Sequence, residues 1–323
     1  MLTVPFLTQM KLYGEYMSKT NTNLNIDFAG IKFKNPVVTA SGTFGFGREY
    51  GEFYNLSELG GICVKGLTVK PRLGNNPPRI AETPMGMLNS VGLQNPGVDA
   101  FIKDELPFLR EHDTVVIANI SGNTIEEYAL MTEKLSGAGI DIIEVNVSCP
   151  NVKAGGMAFG TSPDAVAQVT EAVMKRTKVP VMVKLSPNVT DIVSIAKAAE
   201  SSGADAVSLI NTLLGMRIDT LTRKPVLHNN IGGLSGPAVF PVAVRMVWQA
   251  ASVLKIPILG MGGIMTGNDA IEMMLAGADI VGVGTACFDD PYAPVRIIKE
   301  IEQYLTDNSI NSLSAITGKV EVN

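Results

Sequence analysis

The chain has 323 residues, of which 46% are hydrophobic and 18% charged, which suits one large globular domain. Its formal net charge of −5 argues against a nucleic-acid surface, because such a surface needs clustered lysine and arginine. Three cysteines (Cys63, Cys149 and Cys287) are too few and too far apart for a disulfide framework or a four-thiolate iron–sulfur cluster, and they favour a reducing, cytoplasmic setting.

The first 23 residues contain neither a basic segment followed by a long apolar run nor any other sign of a targeting peptide. No stretch of the sequence has the 18 consecutive apolar residues of a membrane span, so no membrane association is expected. We predict a flexible arm over residues 1–23, a folded domain over 24–311 and a C-terminal tail over 312–323.

Eight short runs rich in β-forming residues predict eight strands. In chain order they are PVVTA from Pro36, GICVK from Gly61, TVVIANI from Thr114, DIIEVNV from Asp141, VPVMVKL from Val179, DAVSLI from Asp205, IPILGMG from Ile256 and DIVGVGT from Asp279. Most are continuously apolar rather than alternating, as expected of parallel strands that are covered on both faces.

Helical patterns separate these strands, for example from Thr124, Ser162 and Thr190, and each begins with a residue that commonly caps a helix. Several end in a recurring glycine motif, SGAGID, SGADAV or AGADIV, that leads directly into the next strand. This alternation predicts a (β/α)8 TIM barrel, with an open doubly wound sheet as the alternative.

Two segments interrupt the alternation. Residues 66–113 are dense in proline, glycine and asparagine, and a second insertion begins at Asn211, after the sixth strand. Both leave from the carboxyl end of a strand, where barrels carry their active sites, so we expect both to build the site.

The glycine motifs GMGGI, from Gly260, and GVGTA, from Gly282, follow the seventh and eighth strands. Loops at these two places commonly bind phosphate through backbone N–H groups, although plain turns would also use glycine. The pattern favours a phosphate site but does not distinguish a flavin phosphate from a sugar phosphate.

Polar side chains interrupt several apolar strands near their carboxyl ends. Lys65 and Lys184 would be costly to bury without an anion, and Asn119, Asn146 and Asn211 would need hydrogen-bond partners. Lysines at a strand end also reach solvent by extending along the surface, and asparagine is common in turns. Together the five residues favour a planar ligand with N–H and C=O groups.

The stretch VNVSCPN places Cys149 at the end of the fourth strand. A thiol with an ordinary pKa near 8.5 can serve as a general base. Neither histidine lies near it in sequence, which argues against a Cys–His nucleophile. Cys63 and Cys287 are expected to be buried small hydrophobic residues, and no metal site is predicted.

Seven motifs, in order, carry a resemblance to a known family: ASGTFGFGREY, ETPMGMLNSVGLQNPG, VNVSCPNVKAGGMAFGT, VKLSPNV, INTLLGMRID, GGLSGPA and GMGGI with GVGTA. The chain resembles a class 1 dihydroorotate dehydrogenase, and more narrowly the catalytic subunit of the NAD-linked type. The resemblance runs from about residue 24 to the end of the predicted barrel.

The resemblance implies an FMN-bearing barrel that oxidises dihydroorotate to orotate in pyrimidine biosynthesis, with Cys149 taking the C5 proton while hydride leaves C6 for the flavin. By analogy, FMN would be held by Ser41, Lys65, Gly66, Asn119, Asn146, Lys184, Ile210, Gly236, Gly262, Gly263, Gly284 and Thr285. The pyrimidine would be held by Lys65, Asn89, Ser90, Val91, Gly92, Leu93, Asn146, Asn151, Asn211 and Thr212.

The resemblance also implies a partner subunit carrying FAD and a [2Fe–2S] cluster, around a homodimer core within a heterotetramer. The sequence has no G-x-G-x-x-G motif after a strand and too few thiols to carry those groups itself. The alternatives are a fumarate-using class 1 enzyme, another flavin barrel, a non-redox phosphosugar isomerase or lyase, and a catalytically silent binding subunit.

Overall fold

The computed structural model describes residues 22–147 and 159–323, so the predicted arm lies almost wholly outside the described residues. Its strands, numbered in chain order, are β1 (Ile26–Phe28), β2 (Ile31–Phe33), β3 (Val37–Thr39), β4 (Gly61–Cys63), β5 (Ile80–Thr83), β6 (Gly86–Asn89), β7 (Val115–Ile120), β8 (Ile142–Asn146), β9 (Val181–Lys184), β10 (Ala206–Leu209), β11 (Leu213–Gly215), β12 (Ile218–Asp219), β13 (Lys224–Pro225), β14 (Gly232–Ser235), β15 (Ile258–Met261) and β16 (Ile280–Val283).

Eight of these strands close into a parallel barrel. Around the barrel the order is β3, β4, β7, β8, β9, β10, β15 and β16, which then pairs with β3. Each of the eight predicted runs contains one barrel strand, so the predicted (β/α)8 barrel is confirmed and the open sheet is wrong. Sequential strands are neighbours because a right-handed βα connection returns the chain beside the strand it left.

Helices cover the outside of the barrel. The longer ones are Ile125–Leu135, Pro163–Met174, Ile192–Ser201, Phe240–Ala251, Gly267–Leu275 and Ala293–Asp307. Shorter helical turns span Tyr50–Glu52, Leu56–Glu58, Val98–Ala100, Phe101–Glu105, Leu106–Leu109, Pro237–Val239, Ala286–Asp289 and Leu313–Ala315. Apolar side chains of the longer helices pack on the strands and form the larger of two hydrophobic clusters. No helix of the described residues is long and apolar enough to cross a membrane.

The helices begin close to where the sequence predicts, and one predicted capping residue is wrong. Thr124 caps its helix as expected, its hydroxyl accepting the N–H of Glu127 at 3.3 Å. The helix expected to begin at Thr190 is instead capped by Asp191, whose carboxylate accepts the N–H groups of Val193 and Ser194. A carboxylate that reaches two of the unpaired N–H groups stabilises a helix start better than a hydroxyl one residue earlier.

The recurring glycine motif has a structural role at both of its ends. Gly277 has φ +120°, a conformation that other residues rarely adopt, and it ends a helix. Two residues later Asp279 accepts the backbone N–H of Ile258, in the neighbouring strand, at 2.8 Å. Asp205 accepts the N–H of Val181 in the same way at 2.8 Å. The aspartates therefore tie the start of each new strand to the strand before it.

The amino-terminal end of the barrel is closed by the antiparallel hairpin of β1 and β2. Phe28 and Phe33 from this hairpin are almost fully buried and meet edge to face, with ring centroids 5.9 Å apart. They pack against the apolar lower half of the barrel interior, which includes Val38, Ile117, Ile142, Met182, Ala206, Leu259 and Ile280. This end of the barrel is a packed apolar core.

The two insertions pair with each other over the opposite end of the barrel. Strands β5 and β6 belong to the first insertion, and β11 and β14 to the second. They form one antiparallel sheet in the order β11, β14, β6 and β5, with Gly233 opposite Asn89. The remaining strands of the second insertion, β12 and β13, form a separate hairpin.

The segment predicted as a C-terminal tail packs on the domain. Leu313 and Ile316 are nearly fully buried within the larger hydrophobic cluster. Backbone N–H groups of Gly318 and Val320 donate to the carbonyls of Met274 and Leu275. The division at residue 311 stays a prediction, but the residues after it contribute to the core.

Candidate active site

A cavity lies at the carboxyl ends of the barrel strands, between the barrel and the sheet built by the two insertions. The predicted cofactor residues that line it are Ser41, Lys65, Gly66, Asn119, Asn146, Lys184, Ile210, Gly236, Gly262, Gly263, Gly284 and Thr285. The predicted substrate residues that line it in addition are Asn89, Val91, Gly92, Leu93, Asn211 and Thr212. Residues from the ends of all eight barrel strands and from both insertions thus meet in one place.

Three predicted residues are not among the described lining residues. Ser90 is fully buried and is not among the lining residues, and its Oγ has no hydrogen-bond partner within the described part of the chain. Cys149 and Asn151 lie outside the described residues. Their roles stay predictions.

One end of the cavity is built from glycine backbone. A Cβ added at Gly263, whose φ is +81°, would lie 2.7 Å from the carbonyl oxygen of Gly236. A Cβ at Gly262 would lie 2.9 Å from the Cβ of Ala243. The loop after β15 therefore packs against the start of the helix that precedes this strand, Phe240–Ala251, in a way that only glycine allows. This is the place where the sequence predicts a phosphate.

The two predicted lysines both line the cavity, from the ends of β4 and β9. Lys65 follows β4, and its backbone N–H donates to the carbonyl of Gly45 at 2.9 Å. Lys184 ends β9 and is 5% exposed, so its ammonium group is almost completely removed from water. Its Nζ lies 4.0 Å from an oxygen of Glu144. A buried ammonium requires such a counter-charge.

Glu144 is a residue of this region that the sequence analysis missed. It lies in the middle of β8 and is fully buried. Its carboxylate accepts hydrogen bonds from Asn119 Nδ2, Cys63 Sγ and Ser208 Oγ. The signal was present, because IIEVNV places an acidic residue inside an otherwise apolar strand, where a charge is tolerated only with partners.

The predicted amides form part of a polar network. Asn211 Nδ2 donates to Asn146 Oδ1 at 3.2 Å, which joins the ends of β8 and β10 across the barrel mouth. Asn119 is fully buried, and its Oδ1 has no hydrogen-bond partner within the described residues. An unpaired buried acceptor in a cavity wall fits a ligand with an N–H group, as the isoalloxazine of FMN has.

The stretch from Asn89 to Leu93 connects the insertion sheet to the cavity. Asn89 ends β6 and donates from Nδ2 to the carbonyl of Gly233 at 3.3 Å. Gly92 and Leu93 both have positive φ, +78° and +55°, so the backbone turns sharply there. The turn brings backbone and side chains of this stretch to the cavity wall.

Neither described cysteine is suited to proton transfer at this site. Burial, and next the charge of Glu144, hold the pKa of the Cys63 thiol well above its usual range. Burial raises the pKa of the Cys287 thiol to about 12. Cys287 is the buried small residue expected from the sequence. For Cys63 that description is incomplete, because its thiol also donates to Glu144 at 3.1 Å.

The described residues contain no cluster of three or more histidine, cysteine, aspartate or glutamate side chains that could hold a metal ion. What the wall offers instead is glycine backbone, two lysines, several amides and one unpaired amide oxygen. This set of groups suits an anionic, planar, hydrogen-bonding ligand with a phosphate tail.

The known proteins to which the chain is similar carry closely related names. The family described as dihydroorotate dehydrogenase matches residues 23–305. A protein of Alkaliphilus oremlandii named dihydroorotate dehydrogenase B (NAD(+)), catalytic subunit, is 59% identical over 301 residues, 93% of this chain and 100% of the relative. Proteins of the same name from Thermoanaerobacter sp. strain X514 and Geobacter sulfurreducens are 59% and 56% identical, each covering 93% of this chain and 99% of the relative.

A solved structure shares the fold. The crystal structure of DHODH from Eimeria tenella in complex with ferulenol superimposes with a TM-score of 0.78, covering 98% of this chain and 96% of that one, at 21% identity. At that identity the likeness concerns the fold, while the family rests on the closer relatives and on the match over residues 23–305. The chain therefore belongs to the dihydroorotate dehydrogenase family.

Proposed function

We propose that this protein oxidises dihydroorotate to orotate in pyrimidine biosynthesis, with FMN as cofactor, as the catalytic subunit of an NAD-linked dihydroorotate dehydrogenase. The observation that carries the proposal is the single cavity lined by nearly all of the residues that the family resemblance assigns to FMN and pyrimidine. The names of the relatives at 56–59% identity support the NAD-linked type over the fumarate-using type.

The cofactor would lie across the barrel mouth. Glycine backbone at Gly236, Gly262, Gly263 and Gly284, with Thr285, would hold the phosphate, because close approach of N–H groups to an anion requires residues without a side chain. Lys184 and Asn119 would face the ring system, one supplying a positive charge and the other an acceptor oxygen. Bound FMN supplies the electron sink that no amino-acid side chain provides.

The substrate would lie between the ring system and the insertion sheet. Lys65 is proposed to pair with the substrate carboxylate, since a lysine in a cavity wall binds an anion strongly. Asn89, Asn146 and Asn211 would bind the imide edge, because amides both donate and accept hydrogen bonds. These contacts fix the orientation of the pyrimidine over the cofactor.

Oxidation removes a proton from C5 and a hydride from C6 of dihydroorotate, leaving the C5–C6 double bond of orotate. Bound FMN would supply the hydride acceptor, and Cys149 is proposed to take the proton on its sulfur. Because the described thiols of Cys63 and Cys287 are buried and have raised pKa values, neither competes for this role.

Electrons would then leave through a partner subunit that carries FAD and a [2Fe–2S] cluster. The relatives' names support a partner, since each describes a catalytic subunit. The composition supports it as well, because three cysteines cannot ligate a four-thiolate cluster. We propose a cytoplasmic assembly with a homodimer of this chain at its centre.

The test is anaerobic reduction of the FMN-loaded protein by stoichiometric substrate. Dihydroorotate should bleach the visible flavin absorbance, whereas dihydrouracil, which lacks the carboxylate, should not. A purified protein that takes up no FMN would contradict the flavin assignment. Bleaching by dihydrouracil alone would indicate a flavin barrel with another substrate. Co-purification from the native cell should yield an iron-containing partner, and a preparation without one would contradict the NAD-linked assembly.

A further inference from the structure

The interior of the barrel holds a charge that the proposed function does not use. Among residues 22–147 and 159–323, Glu144 and Lys184 are the charged side chains that are nearly fully buried, at 0% and 5% exposure. Burying a carboxylate costs several kcal/mol unless charges and hydrogen bonds compensate it. A charge held at that cost beneath a cavity calls for a functional explanation.

Glu144 is compensated from several strands at once. Its Oε1 accepts the hydroxyl of Ser208 at 2.7 Å, and its Oε2 accepts the thiol of Cys63 at 3.1 Å and the amide nitrogen of Asn119. An arrangement of donors only, with an ammonium nearby, is that of an ionised carboxylate. Glu144 is thus the centre of a network joining β4, β7, β8, β9 and β10.

This network determines which way the Asn119 amide faces. Since an ionised carboxylate only accepts, the amide atom next to Glu144 must be the nitrogen, which leaves the oxygen pointing away. That oxygen lies on the side of Gly66, where an added Cβ would approach it to 2.8 Å. Both residues line the cavity, and the oxygen has no partner among the described residues.

The same carboxylate is the counter-charge of the Lys184 ammonium. Lys184 Nζ lies 4.0 Å from Glu144 Oε2, and no other carboxylate of the described residues forms an ion pair with it. The attraction of this carboxylate therefore favours a position of the ammonium group at the cavity wall. Its positive charge is partly offset there by the negative charge of Glu144.

We propose that Glu144 is a positioning residue for the cofactor: it fixes the Asn119 oxygen as an acceptor and the Lys184 ammonium as a positive charge on the same wall, and its own negative charge lowers the reduction potential of the bound flavin. This inference rests on the proposed function, because it concerns FMN in this cavity. It adds a residue that touches neither cofactor nor substrate and acts through two that do.

The first test separates the charge from the hydrogen bonds. In Glu144→Gln the new carbonyl can still accept from Asn119 and Cys63, while the new amide can donate to Ser208, whose hydroxyl also accepts. Only the charge is then lost. The equilibrium constant for two-electron reduction of bound FMN should rise about tenfold, about 30 mV in midpoint potential, the order expected of one charge in a protein interior.

A matched control is Asp279→Asn, which removes a partly buried carboxylate at the opposite end of the same barrel. Its flavin potential should equal that of the wild type. An unchanged or lowered potential in Glu144→Gln, or an equal rise in both variants, would overturn the proposal.

The second test asks whether Glu144 acts through Asn119. Glu144→Leu removes charge and hydrogen bonds, and apoprotein titrated with FMN should bind about 10–100-fold more weakly, as for other residues that orient a ligand-binding group. In a cycle with Asn119→Leu, the double variant should bind FMN no worse than the weaker single variant. If the losses of FMN-binding free energy in the two single variants simply add up in the double variant, Glu144 does not act through Asn119, and that part of the proposal is overturned. Where Glu144→Leu does not fold, the potential of Glu144→Gln still decides.

The two proposals fail in different ways. A wild-type protein that binds no FMN, or that is not reduced by dihydroorotate, contradicts the proposed function. A wild-type protein that passes both tests, together with a Glu144→Gln variant of unchanged potential, contradicts only the role of Glu144.

Discussion

The two ends of the barrel are built from the same strands, yet they differ in chemistry over a distance of two residues. Ile142 of β8 and Met182 of β9 belong to the apolar interior cluster above the closing hairpin. Two residues further along each strand, at the same face, come Glu144 and Lys184. Inward-facing residues recur at every second position of a strand. On β8 and β9, the next inward-facing residue after the packed core is therefore already a polar residue beside the cavity.

This difference separates two tasks within one fold. The amino-terminal end, with Phe28 and Phe33, supplies burial and does not face the cavity. The carboxyl-terminal end carries the groups that line the cavity, including a charge that is costly to bury. Substitutions at the amino-terminal end should change the stability of the protein but not its chemistry. Substitutions at the carboxyl-terminal end should change the chemistry but not the stability.

The largest effect is expected at the carboxyl-terminal end, from Cys149→Ala. Reduction of bound FMN by dihydroorotate should slow by about 10²–10⁴-fold, the usual contribution of a positioned general base, while FMN stays bound. Rapid-mixing absorbance measures both. Cys287→Ala, a thiol in the packed core, is the control and should keep the wild-type rate. Near-normal reduction in Cys149→Ala would remove the residue from the mechanism.

The next effect concerns the amino-terminal end. Phe33→Ala should lower the free energy of unfolding by about 3–5 kcal/mol, the loss typical of a fully buried aromatic side chain. Phe33 is 1% exposed and packs edge to face on Phe28. Denaturant titration measures the loss. The folded fraction of the Phe33→Ala variant should bind FMN as the wild type does. Weakened FMN binding would show that the amino-terminal and carboxyl-terminal ends of the barrel are coupled.

A smaller effect is expected from Lys65→Met at the cavity wall. Loss of a charge-assisted hydrogen bond costs about 1.5–3 kcal/mol, so orotate, which carries the same carboxylate as dihydroorotate, should bind about 10–100-fold more weakly. Thermal stability should change little, because the methionine retains most of the apolar stem. Binding of orotate to the oxidised protein, followed by the flavin spectrum, measures the change. Wild-type affinity for orotate would place its carboxylate elsewhere.

The smallest effect is expected from Asp279→Asn. Burial raises the pKa of the Asp279 carboxyl above its usual value, against the opposing hydrogen bond from the N–H of Ile258. Between the usual and the raised pKa the folded protein binds more protons than the unfolded chain, so stability falls as pH rises through the raised pKa. At neutral pH the variant should equal or exceed the wild type by no more than about 1 kcal/mol.

That advantage of Asp279→Asn should disappear as pH falls below the usual pKa of an aspartate, where the wild-type carboxyl is protonated in both states. Urea titrations at several pH values measure the trend. A variant that is less stable at neutral pH, and increasingly so as pH rises, would show that the ionised carboxylate stabilises the strand.

The barrel could be predicted from the sequence because its signals are local. Each strand is a short apolar run, and each glycine motif marks the end of a helix and the start of a strand, as at Gly277 and Asp279. The loops after strands seven and eight were equally readable, since glycine at Gly262 and Gly263 reflects a backbone requirement. The family resemblance supplied the rest of the assigned residues.

What the sequence did not reveal depends on contacts between distant segments. Nothing near Asn89 indicates that its strand pairs with Gly233, because the two residues belong to different insertions and are 144 positions apart in the chain. The network of Glu144 with Cys63 and Ser208 was missed for the same reason, since its members lie on different strands. The acidic residue was visible in IIEVNV, but its partners were not.

The ladder between β6 and β14 has a consequence for attempts to change what the protein recognises. Each insertion supplies one strand of that ladder, and the pairing leaves no space for a side chain at Gly233, where a Cβ would meet Thr212 Oγ1 at 2.0 Å. If only one insertion were replaced by that of a relative, its strand would have to pair with a strand from a different protein. Chimaeras of these enzymes should therefore transplant both segments together, as one exchangeable cap on an unaltered barrel.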